Sequence, residues 1–238
     1  LVIATVYRPH SERHGGGSYI RDFVFGFSDG INTSLGIVAG IGGAAASNWM
    51  IVLGGLIATL TGGMAMGVQN YIAVKSEKEF VEAEEKRERY EIEHMPDQEK
   101  KEVREIYAKK GFTEDELDFI VERITADKER WLRTMLLEEL GLNIEAVKSP
   151  WKNGIVMFLA FALGGIIPVL PHLALTSQLA LITSAASSVT ALFFVGTYKA
   201  KLTSLSVLKS GAELSALGSG VALVGYLIGR LLRLPPIS

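Results

Sequence analysis

Carboxylates recur in pairs along one stretch of this chain. Glu88 and Glu91 are three residues apart, and Glu99 and Glu102 repeat the spacing. On a helix each pair shares one face. Met135 and Glu139 follow at a spacing of four, again one face. Hard oxygen ligands with an occasional thioether suit a divalent first-row metal. Glu-rich helices also serve simply as solvated faces, and the many Glu–Lys and Glu–Arg pairs at i, i+4 here fit that plainer account. Asp29 stands apart, at the head of a long apolar run. A carboxylate inside a membrane is costly and often marks an ion route. At a helix start it would only cap. With a helix beginning near Ile20, Asp29 falls two to three turns in, which favours burial. Met64 and Met66 lie among small apolar residues. Methionine there is ordinarily filler, although a thioether is also a soft ligand.

These residues sit in two different materials. The chain has 238 residues, is 48% hydrophobic and carries a formal net charge of −2. Those averages hide the distribution. Of 26 acidic residues, 22 lie between Glu77 and Glu145, against 13 Lys and Arg, a local net of −9. Outside that stretch the acids are Glu12, Asp22, Asp29 and Glu213. Such asymmetry predicts separate environments for the two parts. With no cysteine, disulfides, zinc fingers, iron–sulfur ligation and thiol nucleophiles are excluded. The glycines open no phosphate loop, there is no His-Glu-x-x-His, and basic residues form no aromatic-interleaved groove for nucleic acid.

No charge interrupts the 45 residues from Gly30 to Val74. A span needs about 20 residues, so this run holds two, split at Ser47-Asn48-Trp49. The first is expected over 20–46 and the second over 49–75. A second charge-free run, Asn153 to Tyr198, is broken at Pro168, Pro171 and His172. A fifth segment, 206–231, has Glu213 near its start. The fold expected is an all-α integral membrane protein of about five transmembrane helices, with an acidic helical domain between the second and third. The boundaries are 1–19, 20–75, 76–148 and 149–238. The N-terminal segment has no long apolar region of a cleaved signal, so the first span is expected to act as its own signal.

Lys75, Lys78, Lys148 and Lys152 flank the insert, and Lys199, Lys201 and Lys209 lie before the last span, whereas the two other hairpins have none. By the positive-inside rule the N-terminus, the insert and the fourth loop are cytoplasmic. Arg230 and Arg233, at the outer end, run against the rule. Gly26/Gly30, Gly36/Gly40, Gly63/Gly67 and Gly225/Gly229 repeat every four residues. The spacing lets helices approach closely in lipid, within one chain or across a dimer seam. Inside the insert, Pro96 is expected at the first position of a helix ending at Lys110–Gly111. Thr113 to Glu116 has capping-box spacing, opening a helix to about Ile124. Asp127 to Leu140 is the last, stopped by Gly141.

The run Arg21-Asp22-Phe23-Val24-Phe25-Gly26-Phe27-Ser28-Asp29-Gly30 resembles the first-helix motif of the vacuolar iron transporter family. Met66-Gly67 with Tyr71-Ile72-Ala73-Val74-Lys75-Ser76-Glu77 resembles the end of its second helix. Glu99 through Arg104-Glu105-Ile106-Tyr107 to Lys110-Gly111-Phe112, and Trp131 to Leu142, resemble its cytoplasmic metal-binding domain. The likeness covers Ile20 to Leu232, including the order of two spans, acidic insert and three spans.

The resemblance implies a homodimeric exporter of cytosolic Fe2+ driven by proton exchange, a secondary transporter and not an enzyme, with its path between protomers. It implies that Asp29 and Met66 line that path, and that Glu88, Glu91, Glu99, Glu102, Met135 and Glu139 bind metal in the insert. The same oxygen and thioether ligands admit Mn2+, Zn2+ or Co2+. Two departures stand out. Leu136 replaces the second methionine often found beside Met135. Ala58 replaces a glutamate often found two turns before the pore methionine, which bears on proton coupling. Glu213 could substitute, or could be an interfacial residue near Lys209. The membrane is vacuolar in a eukaryote and the plasma membrane in a prokaryote; the short loops favour the latter. Two other classes compete: a membrane-anchored iron-storage protein with ferroxidase activity, and a structural adaptor. Ferritin-like sites typically use Glu-x-x-His, which the insert lacks.

Overall fold

The computed structural model describes residues 17–142, 149–175, 177–203 and 206–232. Most of the polar N-terminal segment, together with Lys148 and Arg233, lies outside them. The described residues are all-helical in their regular structure: α1 (Gly17–Gly43), α2 (Asn48–His94), α3 (Pro96–Lys109), α4 (Glu114–Thr125), α5 (Lys128–Glu138), α6 (Pro150–Ile166), α7 (Pro171–Ala174), α8 (Ser177–Thr203) and α9 (Val207–Leu231). They form two compact units. One draws on residues up to Tyr71 and from Trp151 onward, the other on Ile72–Pro150.

In the first unit, α1, α2, α8 and α9 are long and apolar enough to cross a membrane, and α6 is a shorter apolar helix. Large apolar side chains point outward along these helices, among them Ile57, Leu163, Ile182 and Leu223. An outward apolar surface on helices of this length is what lipid requires and water penalises. Inside, glycines bring the helices together. A Cβ at Gly30 would collide with the Phe161 carbonyl of α6, and one at Gly229 with the Gly40 carbonyl of α1. Gly225 abuts Gly36, Gly26 abuts Met157, and Gly63 and Gly67 abut Phe158. All four repeated pairs are therefore used within the chain, where close backbone approach supplies the dispersion contacts that hold helices together in lipid.

The first hairpin differs from expectation. α1 ends at Gly43, three residues before the boundary expected at 46. Ala45 makes the turn with φ 58°. Alanine carries no stop signal, so nothing local announces this left-handed residue. Asn48 then joins the two hairpins. Its amide donates to the carbonyls of His172 (2.5 Å) and Leu175 (3.2 Å), and its Oδ1 faces His172 Nδ1 at 2.8 Å.

In the second unit the punctuation follows local rules. Pro96 opens α3, and Gly111 and Gly141 take φ of 94° and 66° after α3 and α5. Glu116 accepts from the Thr113 backbone N–H and hydroxyl, both at 2.8 Å. Asp127 accepts from the Arg130 N–H at 2.8 Å. Such caps satisfy backbone N–H groups that the first helical turn leaves without partners. Ile92, Val103, Ile124, Trp131, Leu132, Met135 and Leu136 form the core. Each buried apolar side chain is worth about 1.5–3 kcal/mol. Exposed pairs such as Lys75–Glu79 and Lys78–Glu82 contribute about 0.3–0.5 kcal/mol each, so the apolar core outweighs them.

Candidate metal centre and membrane carboxylate

The carboxylates paired by spacing converge in the second unit. Glu88 and Glu91 lie on α2, Glu99 and Glu102 on α3, and Glu139 just past the end of α5. One oxygen from each of Glu88, Glu91 and Glu99 falls within 4.8 Å of the others, and the same holds for Glu99, Glu102 and Glu139. Glu99 belongs to both triads. Glu88 is 1% and Glu99 2% exposed. Met135 is fully buried in the apolar core, one turn before Glu139. Leu136, where the likeness would allow a second methionine, is a core residue too.

This gathering is electrostatically costly. Burial, then a hydrogen bond with Glu99 and the charges of Glu99, Glu139 and Glu91, push Glu88 up to about 8. Burial also raises Glu99, helped by the Glu102, Glu91 and Glu139 charges, and a hydrogen bond from Glu88 partly offsets it. Glu139 is raised by burial and by Glu102 and Glu91. Glu88 Oε1 and Glu99 Oε2 are buried with no partner. Arg87 is the arginine that reaches the cluster, 3.7 Å from Glu91 and opposing the rise at Glu139, whereas Arg89 pairs with Glu129 and Arg104 with Asp118 and Glu114, all at 2.5 Å. Like charges left facing each other with unpartnered oxygens are what a divalent cation would neutralise.

A pH dependence follows. Glu88 holds its proton more tightly folded than unfolded, between the ordinary 4.5 and about 8. In that window the folded state binds more protons, so stability falls as pH rises. The metal-free domain is expected to be most stable below pH 4.5 in this respect and to lose that contribution by about pH 8. Glu88→Gln should flatten the profile. Trp131 is buried in this core whereas Trp49 and Trp151 are exposed. Melting followed by Trp131 fluorescence, with the other two changed to Phe, reads the effect. Equal pH profiles for wild type and Glu88→Gln would refute the assignment.

In the first unit, Asp29 lies deep inside α1, which starts at Gly17, and so caps nothing. It is half-buried, as is Met66 on α2, while Met64 is largely exposed. Ala58 is half-buried beside the fully buried Thr59, whose hydroxyl donates to the Gly55 carbonyl at 2.8 Å. Glu213 is exposed on α9. Asp22 has a structural prominence that spacing did not single out. It is 1% exposed and accepts from Asn70 and Asn153, at 3.0 and 2.5 Å. Its partners are 48 and 131 residues away, so no local pattern could have indicated it.

Helices built to span lipid, together with a separate acidic domain whose carboxylates close into two triads, define a multi-pass membrane protein equipped to handle metal ions. Residues 20–230 match the VIT family model, and the chain belongs to that family. It is 32% identical to vacuolar iron transporter 1 of Oryza sativa subsp. japonica over 91% of this chain and 87% of the relative. It is 34% identical to the vacuolar iron transporter of Toxoplasma gondii, over 94% of this chain and 78% of that protein. Vacuolar iron transporter 1 of Arabidopsis thaliana is 30% identical, over 96% and 92%.

Proposed function

We propose that this protein is a transporter that moves Fe2+ out of the cytosol in exchange for protons, as a homodimer of five-span protomers. The observation that carries the reading is the pair of carboxylate triads sharing Glu99, in a chain whose relatives are named vacuolar iron transporters. In this reading 76–148 is a cytoplasmic metal-collecting domain, 1–19 precedes the first span, and 20–75 and 149–238 hold two and three spans. α6, at 17 residues, is at the short end of the range of about 17–25 for a span, and serves as the third. Glu88, Glu91, Glu99, Glu102 and Glu139, with Met135, bind the ion from the cytosol. It passes to Asp29 and Met66 and leaves on the far side.

Proton coupling needs no separate device in principle. A carboxylate binds either a proton or a metal, so loading one expels the other. Ala58 stands where the resemblance implies a glutamate, which leaves Asp29, with Glu213 as the alternative, to act as the exchanging group. The same ligands accept Mn2+, which is the natural second substrate to test.

The test is transport by purified protein in liposomes, with a metal-sensitive dye inside and an imposed pH gradient. Fe2+ movement that follows the gradient is the expected result. Movement indifferent to it would mean a channel or a different coupling. Metal bound by the acidic domain with no transport of any divalent ion would favour storage.

A further inference from the structure

The buried carboxylate of Asp22 ties three helices together at one point. Its Oδ2 accepts from the Asn70 amide of α2 (3.0 Å) and the Asn153 amide of α6 (2.5 Å). Asn70 Nδ2 also donates to the Asn153 carbonyl at 3.0 Å. Arg21 covers Oδ1, with Nη2 at 3.1 Å and Nε at 3.3 Å. Asn153 is itself fully buried and leaves its own Oδ1 without a partner. Beside this cluster, Tyr71 and Trp151 pack with ring centroids 4.7 Å apart.

A buried ionised group is weak grounds for stability, because an apolar replacement often serves as well. Its better-attested use is to fix register, since any slip strands a charge without donors. In a membrane bundle that constraint is severe. The register concerned matters here. Asp29 is seven residues beyond Asp22 on the same helix, so it lies about 10 Å further along and within about 20° around the axis. Asn70 and Asn153 lie close to where the chain leaves the first unit at Tyr71 and re-enters at Trp151.

We propose that Asp22 is a positioning residue for transport: acting through Asn70 and Asn153, it sets α1 against α2 and α6 and so places Asp29. The proposal rests on the transport reading above, in which Asp29 lies on the path.

The experiment compares wild type, Asp22→Asn and the exchange Asp22→Asn/Asn153→Asp in Fe2+ transport by proteoliposomes. Asp22→Asn should lower the maximal rate about tenfold or more, as misplacement of about 1 Å can do to an oriented group, with KM for Fe2+ and metal binding by the acidic domain unchanged. The exchange keeps one carboxylate among amides and should recover most of the rate, a rescue that a general loss of stability would not give. A wild-type rate in Asp22→Asn, or an exchange no faster than the single variant, overturns the proposal. Asn70→Ala keeps the carboxylate and removes one donor; it should show a smaller loss of the same kind, and it decides the question if Asp22→Asn does not fold. A second readout is independent of transport. The chain has no cysteine, so spin labels at Phe25→Cys and Ile155→Cys, both exposed, report α1 against α6. Their distance distribution should broaden in Asp22→Asn and narrow again in the exchange. Unchanged distances refute positioning even if wild type transports, whereas broadened distances with an inactive wild type refute transport and leave positioning intact.

Discussion

Asp29→Ala is expected to abolish metal transport while leaving the protein folded. The two halves of that expectation have separate grounds. Asp29 lies well inside α1 and makes no hydrogen bond or ion pair among the described residues, so its removal costs no polar contact there and only the packing of a half-buried side chain. Alanine is also the better helix former. Transport, by contrast, loses the charged oxygen ligand that the proposed path offers within the bundle. Losing even an outer partner of a metal ligand typically costs about 10–100-fold, and loss of the ligand itself should exceed that. Asp29→Asn, which keeps shape and discards charge, should be nearly as inactive. Uptake at the wild-type rate by either variant, in liposomes with matched protein content, would remove Asp29 from the path.

The second large effect is expected in the acidic domain. Changing Glu88, Glu91, Glu99 and Glu102 together to alanine deletes one triad and leaves Glu139 alone of the other. Fe2+ binding to that domain should weaken by at least about a hundredfold, since each deleted carboxylate would be a first ligand rather than a supporting partner. Titration of the full chain in the Asp29→Ala background isolates this domain from the membrane path. An unchanged affinity would return the acidic helices to the role of a solvated face. Glu99→Ala alone should cost more than Glu91→Ala or Glu102→Ala, because only Glu99 serves both triads. Equal losses would mean that the triads do not act as a joined pair.

What the sequence determined by itself is what short-range physics encodes. Helices that must cross lipid announce themselves by long runs without charge, because every unpaired charge there is costly. Pro96, Gly111, Gly141 and the Thr113–Glu116 box end or begin helices through bonds within one turn, and each occurs where its residue type implies. The carboxylate pairs were legible for the same reason, since a spacing of three or four fixes a shared helix face. Four features come from the folded chain and not from local pattern. The left-handed turn at Ala45 has no local signal in its residue type, and the Asn48 contact with His172 beside it comes from 124 residues away. The repeated glycines have no partner written in their spacing, and only the placing of Phe161, Gly40 and Gly36 against them shows which backbones they meet within the chain. The joining of two triads through Glu99, and the grip of Asn70 and Asn153 on Asp22, depend on helices brought together from distant parts of the chain. Residue type and periodicity act over a turn or two of helix. A buried charge is compensated by whichever donors packing brings to it, and packing is a property of the whole bundle.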